Sequence, residues 1–425
     1  MLKGNGNRKI IVGYDLGYDY AQISYCDTEG TQVETVSAVA GADAFCIPVV
    51  LCKREGVNQW FYGKEAWRYA RENQGILIEN LVQLSLAGEM IRIEEEEYDP
   101  VALLTLFFKR SLGMLSGIGT TDQIEALMIT CERLDDKMLG VLEKVAANLR
   151  LKTRRIAFQS YQESFYFYML NQPQELWKDA SVLFDYHGSR MSCFRMECNP
   201  KTQPVVMLIQ HEEEEFPSRD SLSGQEDGGR KTLDETFLKV VQEKLENRRT
   251  ASVYLIGDDF SEDWLKSSLR YLCDRRRIFL GNNLFSKGAC YGMAEHFSPS
   301  DLAKEYVYLG EDKLKSNVGI RMMRRGEETY LALLDAGTPW RNASAELEFY
   351  VREDNTVELT VTSLSGGGKR LIPVVLEQLS GEIARIRMTL QVEQESLLAV
   401  EFEDLGFGEF RPAENRRWRQ EIALI

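Results

Sequence analysis

The chain reads Val12-Gly13-Tyr14-Asp15-Leu16-Gly17 close to its beginning. The apolar run at residues 10–14 predicts a short strand, and residues 22–26 predict a second one. The polar, glycine-containing stretch between them predicts a tight turn, so the two strands form a hairpin. A turn of this kind can present backbone N–H groups to a ligand.

Strands and helices alternate after this hairpin. Residues 126–130 predict a buried strand, residues 135–149 an amphipathic helix, residues 153–158 a strand and residues 161–170 a helix. This order is typical of a βαβ unit with parallel strands. The first half of the chain is therefore expected to be of the α/β class.

A second hairpin followed by helices is predicted further along the chain. Its strands are expected at residues 180–184, 191–196 and 205–210, with a turn at 185–189. The polar residues 212–230 then predict a flexible loop. The remaining elements are a strand at 252–256 and helices at 233–245, 262–273 and 287–295.

The pattern changes to strands alone after about residue 300. Residues 318–323, 329–334, 345–351, 356–362, 370–376, 384–390 and 397–402 each predict a strand. Seven short strands at even spacing indicate an antiparallel β-sandwich.

Composition excludes several classes of partner. The formal net charge of −15 argues against binding to nucleic acid or to an anionic membrane surface, because both are bound through clustered Lys and Arg. No apolar run approaches the roughly 20 residues that span a bilayer. None of the eight cysteines stands in a C-x-x-C pair, which indicates reduced and buried thiols. We therefore expect a cytoplasmic protein.

Four motifs along the chain resemble those of the superfamily of actin, hexokinase and the seventy-kilodalton heat-shock chaperones. Residues 12–17 resemble its first phosphate loop, in which the aspartate, Asp15 in this chain, holds Mg²⁺ through water and the turn at Gly17 wraps phosphate. Residues 127–132 and the helix after them are similar to the segment that leads to the first connecting helix. Glu163 matches the glutamate of that helix.

The other two motifs lie in the second half of this region. Residues 182–189 are similar to the second phosphate loop, and Asp185 and Gly188 match it. The strand that ends at Gly257 and the later helix around Gly288 look like the adenosine motif.

The resemblance implies a two-lobed, actin-like (duplicated ribonuclease H-like) nucleotide-binding domain followed by a β-sandwich. The domains are expected at residues 1–308 (lobes 1–178 and 179–308) and 309–425. It implies ATP or ADP with Mg²⁺ as the cofactor. The implied nucleotide-binding residues are Asp15, Gly17, Asp185, Gly188, Gly257 and Gly288. The implied metal-holding residues, which act through water, are Asp15, Glu163 and Asp185.

The sequence departs from the family where hydrolysis takes place. The family's catalytic lysine follows a G-x-x-A segment, residues 63–66 in this chain, but residues 80–86 read NLVQLSL without a lysine. Tyr186 and His187 replace two loop glycines, and Arg190 stands in the place of a threonine. We expect at most slow ATP hydrolysis, and no catalytic residue is assigned.

Three functions remain open at this point. The first is a chaperone-like protein that binds nucleotide weakly and holds extended apolar peptide, or a client protein, in a lidless sandwich. The second is a pseudo-ATPase interaction scaffold, and the third an actin-like filament protein. For the first function, residues Leu347, Phe349, Val357 and Leu359 are candidates to line a peptide groove.

Overall fold

The computed structural model describes residues 9–28, 32–39, 41–218, 226–246, 249–257, 259–260, 263–281, 283–310, 312–352, 355–364, 368–377, 379, 383–394, 396–407, 409, 412–413 and 416–424. Contacts divide the chain into two compact units. The first comprises Met1–Glu197 and Ile209–Lys304, and the second Cys198–Leu208 and Glu305–Ile425. The boundary predicted at residues 308–309 and the predicted lobes stay predictions.

The first unit combines α-helices with short β-strands. The helices are α1 (Gly63–Arg71), α2 (Leu81–Ala87), α3 (Pro100–Leu112), α4 (Asp136–Leu149), α5 (Tyr161–Leu170), α6 (Glu226–Leu245), α7 (Ser267–Leu272), α8 (Leu284–Phe297) and α9 (Asp301–Glu305). The strands are β1 (Ile10–Leu16), β2 (Tyr20–Asp27), β3 (Glu34–Thr35), β4 (Ile47–Pro48), β5 (Leu51–Arg54), β6 (Trp60–Tyr62), β7 (Gly75–Ile78), β8 (Ile91–Ile93), β9 (Glu96–Tyr98), β10 (Ile124–Cys131), β11 (Ile156–Ser160), β12 (Ala180–His187), β13 (Arg190–Asn199), β14 (Val205–Glu215), β15 (Ser252–Ile256) and β16 (Arg277–Leu280).

Two sheets of the first unit share one strand order. The first sheet runs β11-β10-β1-β2-β3, with β4 also paired to β2. The second runs β16-β15-β12-β13-β14 and ends with a short strand at Tyr306–Tyr308 that pairs with the first residues of β14, a part that belongs to the second unit. In each sheet the leading strand is antiparallel to its hairpin partner and parallel to a later strand. The parallel pairs follow helical connections, as βαβ units require. The α/β class predicted from the sequence is confirmed.

Local signals in the sequence account for where several helices begin. The side chain of Asp99 accepts a hydrogen bond from the backbone N–H of Val101 at the start of α3 (3.0 Å). Asp135 accepts one from Met138 at the start of α4 (2.9 Å). Such caps satisfy backbone donors that have no partner inside the helix. The cap at Asp135 explains why α4 begins within one residue of its predicted start.

Helix α8 lies directly on the backbone of both β1 and α5. A Cβ atom on Gly13 in β1 would lie 2.3 Å from the carbonyl oxygen of Ser286, and one on Gly288 would lie 2.0 Å from the carbonyl oxygen of Ser164. Only glycine permits these approaches. Gly288, which the resemblance assigned to the adenosine motif, therefore has a packing role at the contact of α5 with α8.

The second unit consists almost wholly of strands. They are β17 (Tyr306–Tyr308), β18 (Ser316–Arg324), β19 (Glu327–Leu334), β20 (Ser344–Arg352), β21 (Thr356–Ser363), β22 (Lys369–Val375), β23 (Ile383–Gln394), β24 (Leu397–Asp404) and β25 (Arg417–Ala423).

Two antiparallel sheets of this unit contribute to one hydrophobic core. Their orders are β19-β18-β21-β22 and β20-β23-β24-β25. Leu359 of the first sheet and Ile386 of the second are fully buried in that shared core. β17 pairs in parallel with the first residues of β14.

The structure corrects several predicted boundaries. The loop predicted at residues 212–230 is instead strand as far as Glu215 and helix from Glu226 onward, and residues 219–225 lie outside the described part. The helix predicted at 262–273 is only Ser267–Leu272. The turn predicted at 185–189 is shorter, because β12 continues to His187. Two strands of the second unit, β17 and β25, were not predicted at all.

None of the helices in the described residues is long and apolar enough to cross a membrane.

The contact of α8 with α5 gives a stability prediction. The substitution Gly288→Ala is expected to lower the free energy of unfolding by about 1–3 kcal/mol, because the added methyl overlaps the backbone of Ser164. The control is Gly140→Ala in α4, where a Cβ meets nothing within 4 Å. This control is expected to be neutral or to stabilise by up to about 1 kcal/mol. Urea unfolding followed by circular dichroism compares the two, and equal stability of both variants would contradict the close packing.

Candidate functional site

In each of the two sheets, a tight turn joins the two strands of the leading hairpin. β1 and β2 are joined by residues 17–19, where the N–H of Gly17 donates to the carbonyl oxygen of Tyr20 (3.0 Å). β12 and β13 are joined by Gly188 and Ser189, with Gly188 at φ +59°. That value is in the left-handed region, which glycine adopts without strain.

Side chains alternate between the two faces along β12, so that Asp185 and His187 lie on the same face. Tyr186 points into the apolar core, whereas Asp185 and His187, its neighbours in the strand, point to the opposite face. In the register of the hairpin Asp185 lies opposite Ser192, and His187 lies opposite Arg190. All four side chains line one pocket.

The first hairpin supplies the other wall of the same pocket. Asp15 lies in β1 opposite Gln22 in β2, and both line the pocket with Gly17. The complete lining is Asp15, Gly17, Tyr18, Asp19, Tyr20, Gln22, Cys46, Glu132, Tyr161, Asp185, His187, Arg190, Ser192, Phe194, Ile256, Gly257 and Phe285. The structure thus brings together Asp15, Gly17, Asp185 and Gly257 of the predicted set. The cavity volume is about 80 Å³, which is room for a handful of water molecules.

Asp15 is the most perturbed carboxyl group of this pocket. It is only 8% exposed, and burial raises its pKa to about 7. The nearby charge of Asp185 acts in the same direction, while a hydrogen bond from Tyr161 opposes the rise. A carboxyl group with such a pKa is half protonated near neutral pH. Perturbed acids of this kind are typical of functional sites.

Tyr161 fills the space between the two acidic hairpins. Its hydroxyl donates to Oδ1 of Asp15 at 2.8 Å, and its ring stacks on Phe285 of α8 with centroids 3.8 Å apart. Burial raises the pKa of Tyr161 well above its ordinary value, and the charges of Asp15 and Asp185 raise it further. The phenol is therefore a neutral donor that occupies the position next to Asp15.

Two buried oxygen acceptors of the pocket have no hydrogen-bond donor among the described residues. One is Oε1 of Gln22, whose Nε2 donates to Sγ of Cys46 (3.2 Å). The other is Oδ1 of Asp185, which accepts no hydrogen bond from the described residues although Nε2 of His187 lies 3.0 Å away; the two form an ion pair only when His187 is protonated. Buried acceptors without donors are costly, so they indicate a site for a ligand or water.

Three of the predicted residues have other surroundings. Glu163 is buried on α5, where its N–H donates to the hydroxyl of Ser160 (3.3 Å), and it is not among the pocket-lining residues. Gly288 lies at the contact of α5 with α8. Gly188 is in the turn beside the pocket, with its N–H donating to the carboxylate of Asp259.

Sequence reasoning missed Gln22, Glu132 and Tyr161 as pocket residues. Gln22 could have been found, because hairpin register places it opposite Asp15. Glu132 directly follows β10, at the same edge of the sheet as Asp15. Tyr161 carries no such signal, because its approach to Asp15 depends on the packing of α5.

The donor set fits a hydrated Mg²⁺ better than a directly bound metal. Among the residues that the structure describes, no group of three or more His, Cys, Asp or Glu side chains could hold a metal ion. The acceptors Asp15, Gln22 and Asp185 are all oxygens, which suits a cation that keeps most of its water ligands. The orphaned oxygens of Gln22 and Asp185 are compatible with such a shell.

Burial of Asp15 gives a prediction about pH. Because its pKa is raised in the folded state, its favourable contribution is complete below the ordinary value of 3.8 and is lost as the pH rises through about 7. The variant Asp15→Asn is therefore expected to be more stable than the wild type above pH 7, by up to about 4 kcal/mol. This advantage should vanish near pH 4. Urea unfolding across this range tests it.

The control is Asp122→Asn, at an exposed acid whose partner is Lys152 (2.7 Å). It is expected to change stability little at any pH. A stability difference for Asp15→Asn that does not vary with pH would show that Asp15 titrates normally.

Comparison with known proteins gives families but no activity. The chain matches the model described as "Family of unknown function (DUF5716) C-terminal" over residues 32–311, and the model described as "Domain of unknown function (DUF8552)" over residues 313–424. No curated protein matches the chain. The first of these models covers more than half of the sequence and includes most of the pocket residues, so the chain belongs to the family of unknown function DUF5716, of which it carries the C-terminal region.

Proposed function

We propose that the first unit is a two-lobed, actin-like nucleotide-binding domain. The proposal is supported by the two sheets, β11-β10-β1-β2-β3 and β16-β15-β12-β13-β14, which repeat one strand order. A duplicated ribonuclease H-like arrangement requires such a repeat. The four ordered sequence motifs point in the same direction.

The function that the geometry supports best is weak binding of a Mg²⁺-bound adenine nucleotide. One observation carries the proposal: Asp15 and Asp185 occupy equivalent places at the ends of β1 and β12 and line one pocket. Ligands of α/β sheets bind beyond the carboxyl ends of the strands, which is where both acids lie. The orphaned acceptors of this pocket add a second reason to expect a ligand.

The chain offers defined groups for each part of such a ligand. Asp15, Asp185 and Gln22 would hold the hydrated Mg²⁺ through its water molecules. The bound cation supplies charge neutralisation for the phosphates. Gly257 lies at φ +105° directly after β15, where a Cβ atom would lie 2.2 Å from the carbonyl oxygen of Tyr186. The position of a Cβ atom is therefore filled by the backbone of β12, so glycine is required here for close packing, as at Gly288.

Tyr161 sets the limits of the proposed activity. In the described conformation its phenol donates to Asp15 and occupies the Asp15 side of the pocket. Binding therefore requires the Tyr161 side chain to swing away from Asp15, at the cost of a hydrogen bond and a ring stack. This cost makes binding weak. With no lysine in the family's catalytic position, hydrolysis is expected to be slow or absent.

The same phenol favours a second candidate function, an interaction scaffold with a degenerate pocket. In that case Tyr161 is a permanent part of the core and the pocket binds no nucleotide. The actin-like filament stays a prediction.

We further propose that the two sheets of the second unit form a β-sandwich that holds extended apolar peptide. The groove residues suggested by the sequence do not serve for this: Phe349, Val357 and Leu359 are buried in the shared core, and Leu347 packs against it. The outward face of the β19-β18-β21-β22 sheet is a better surface. There Tyr330 and Leu371 are 47% and 51% exposed.

Nucleotide binding is tested by calorimetry and thermal unfolding with ATP and ADP, each with and without Mg²⁺. Binding is expected only with Mg²⁺, since acids dominate the pocket, and ligand at 100 times its Kd should stabilise the fold by about 2.7 kcal/mol. Asp185→Asn should abolish the effect, and Asp122→Asn should leave it unchanged. ATP turnover should stay far below about 1 s⁻¹.

Tyr161→Phe separates the two candidate functions. Loss of the hydroxyl removes the bond to Asp15, so the nucleotide-binding proposal expects tighter binding in this variant. If wild type and variant alike show no change in melting with millimolar Mg-ATP, the scaffold function is preferred.

Peptide binding is tested on the full chain by fluorescence anisotropy with short, extended, apolar peptides. Micromolar affinity and fast dissociation are expected. Tyr330→Ser and Leu371→Ser should weaken binding, because both remove apolar contact area. Ile383→Ser is the control, since Ile383 is similarly exposed (43%) but lies in the other sheet. Absence of binding at high micromolar peptide in the folded protein would refute the chaperone-like function.

A further inference from the structure

Arg190 carries the permanent positive charge of the pocket. It is the first residue of β13, beside the turn at Gly188, and faces the pocket opposite His187. Among the described residues that line the pocket, these two are the only ones able to carry a positive charge. They face the acids Asp15, Asp19, Glu132 and Asp185.

The guanidinium of Arg190 is held loosely. Its Nη1 lies 3.7 Å from Oε1 of Glu132 and 3.4 Å from Oε1 of Glu213. Both distances are long for a charge-assisted hydrogen bond, which is normally about 2.7–2.9 Å. The side chain of Arg190 is 48% exposed, so these pairs are screened by solvent and weak. A ligand with better-placed oxygens can therefore replace Glu132 and Glu213 as the partner of the guanidinium.

The chemistry of this group selects a particular class of ligand. A guanidinium offers five N–H donors in a planar fork that matches the oxygens of a phosphate group. Carboxylates next to it repel a free anion, so the favoured ligand is a phosphate chain whose charge is partly neutralised by Mg²⁺. Asp15, Gln22 and Asp185 lie in the same pocket and suit that cation.

We propose that Arg190 is the phosphate-binding residue of the pocket and that it gives the pocket a preference for polyphosphate over nucleoside. This rests on the proposed function, since it concerns the same pocket. In the absence of ligand, Glu132 and Glu213 hold Arg190. On binding, the guanidinium moves from Glu132 and Glu213 to the phosphate oxygens. Arg190 in this way determines the affinity for the phosphate chain and not that for the adenosine.

The experiment uses the full chain and calorimetry with three probes: Mg-ATP, Mg-tripolyphosphate and adenosine. Arg190→Gln should weaken binding of both phosphate probes by about 10- to 100-fold, as expected for loss of a hydrogen-bonded charge. Adenosine binding should be unchanged. Arg190→Lys should restore part of the affinity, since a lysine supplies the charge without the fork.

Two further variants guard against indirect effects. Glu213→Gln removes a competitor for Arg190 and should tighten binding of the phosphate probes. Arg277→Gln is the matched control, because Arg277 is an exposed arginine of the same sheet that pairs with Glu175 (2.8 Å) away from the pocket. It should bind all probes as the wild type does.

The outcomes separate the two proposals. If Mg-ATP binds equally well to the wild type and Arg190→Gln, the inference about Arg190 is overturned while nucleotide binding stands. If tripolyphosphate binds in an Arg190-dependent way and Mg-ATP does not bind, the proposed function fails and the phosphate-binding role of Arg190 stands. If the folded wild type binds neither phosphate probe, both are overturned.

Discussion

Helix α8 packs directly on the backbones of β1 and α5, and the geometry of the pocket depends on this contact. Gly13 and Gly288 leave no side chain between these elements, so the helix lies as close to them as backbone atoms allow. The first turn of α8 then places Phe285 against Tyr161, which in turn reaches Asp15. Phe285 also contacts Phe194 of the second sheet, at a centroid distance of 5.8 Å. One helix thus connects both walls of the pocket.

The pocket concentrates groups that a purely structural core would avoid. A buried acid with a raised pKa lowers stability at neutral pH, and buried acceptors without donors lower it further. Proteins tolerate such groups mainly where they serve function. By comparison, Asp234 is equally buried but accepts bonds from the N–H groups of Lys266, Ser267 and Ser268, and its pKa is lowered despite burial. That acid caps α7, and no ligand is needed to explain it.

The outward faces of the two sheets in the second unit carry different kinds of side chain. The outward face of the sheet β20-β23-β24-β25 carries ion pairs, such as Arg387 with Glu348 (2.8 Å) and Arg417 with Glu403 (2.8 Å). The outward face of the other sheet exposes apolar side chains such as Tyr330, whose ring lies against Gly319, beside an ion pair of Arg321 with Glu328 (3.7 Å). The ion-paired face in turn exposes Tyr350. Charged pairs keep one face solvated and discourage association there, whereas an apolar face favours contact with a partner.

The sequence by itself determined the features that depend on neighbours along the chain. The leading hairpins, the capped helices and the alternating strands follow from turn residues, caps and apolar periodicity, all of which act over a few residues. The placement of Asp15 and Asp185 at strand ends belongs with them. Tertiary structure alone decided that Tyr161 reaches Asp15 across 146 residues and that Glu163, two positions later on α5, does not line the pocket. Which face of α5 meets the pocket depends on how α8 packs against it, and contacts between distant segments leave no periodic trace in the sequence.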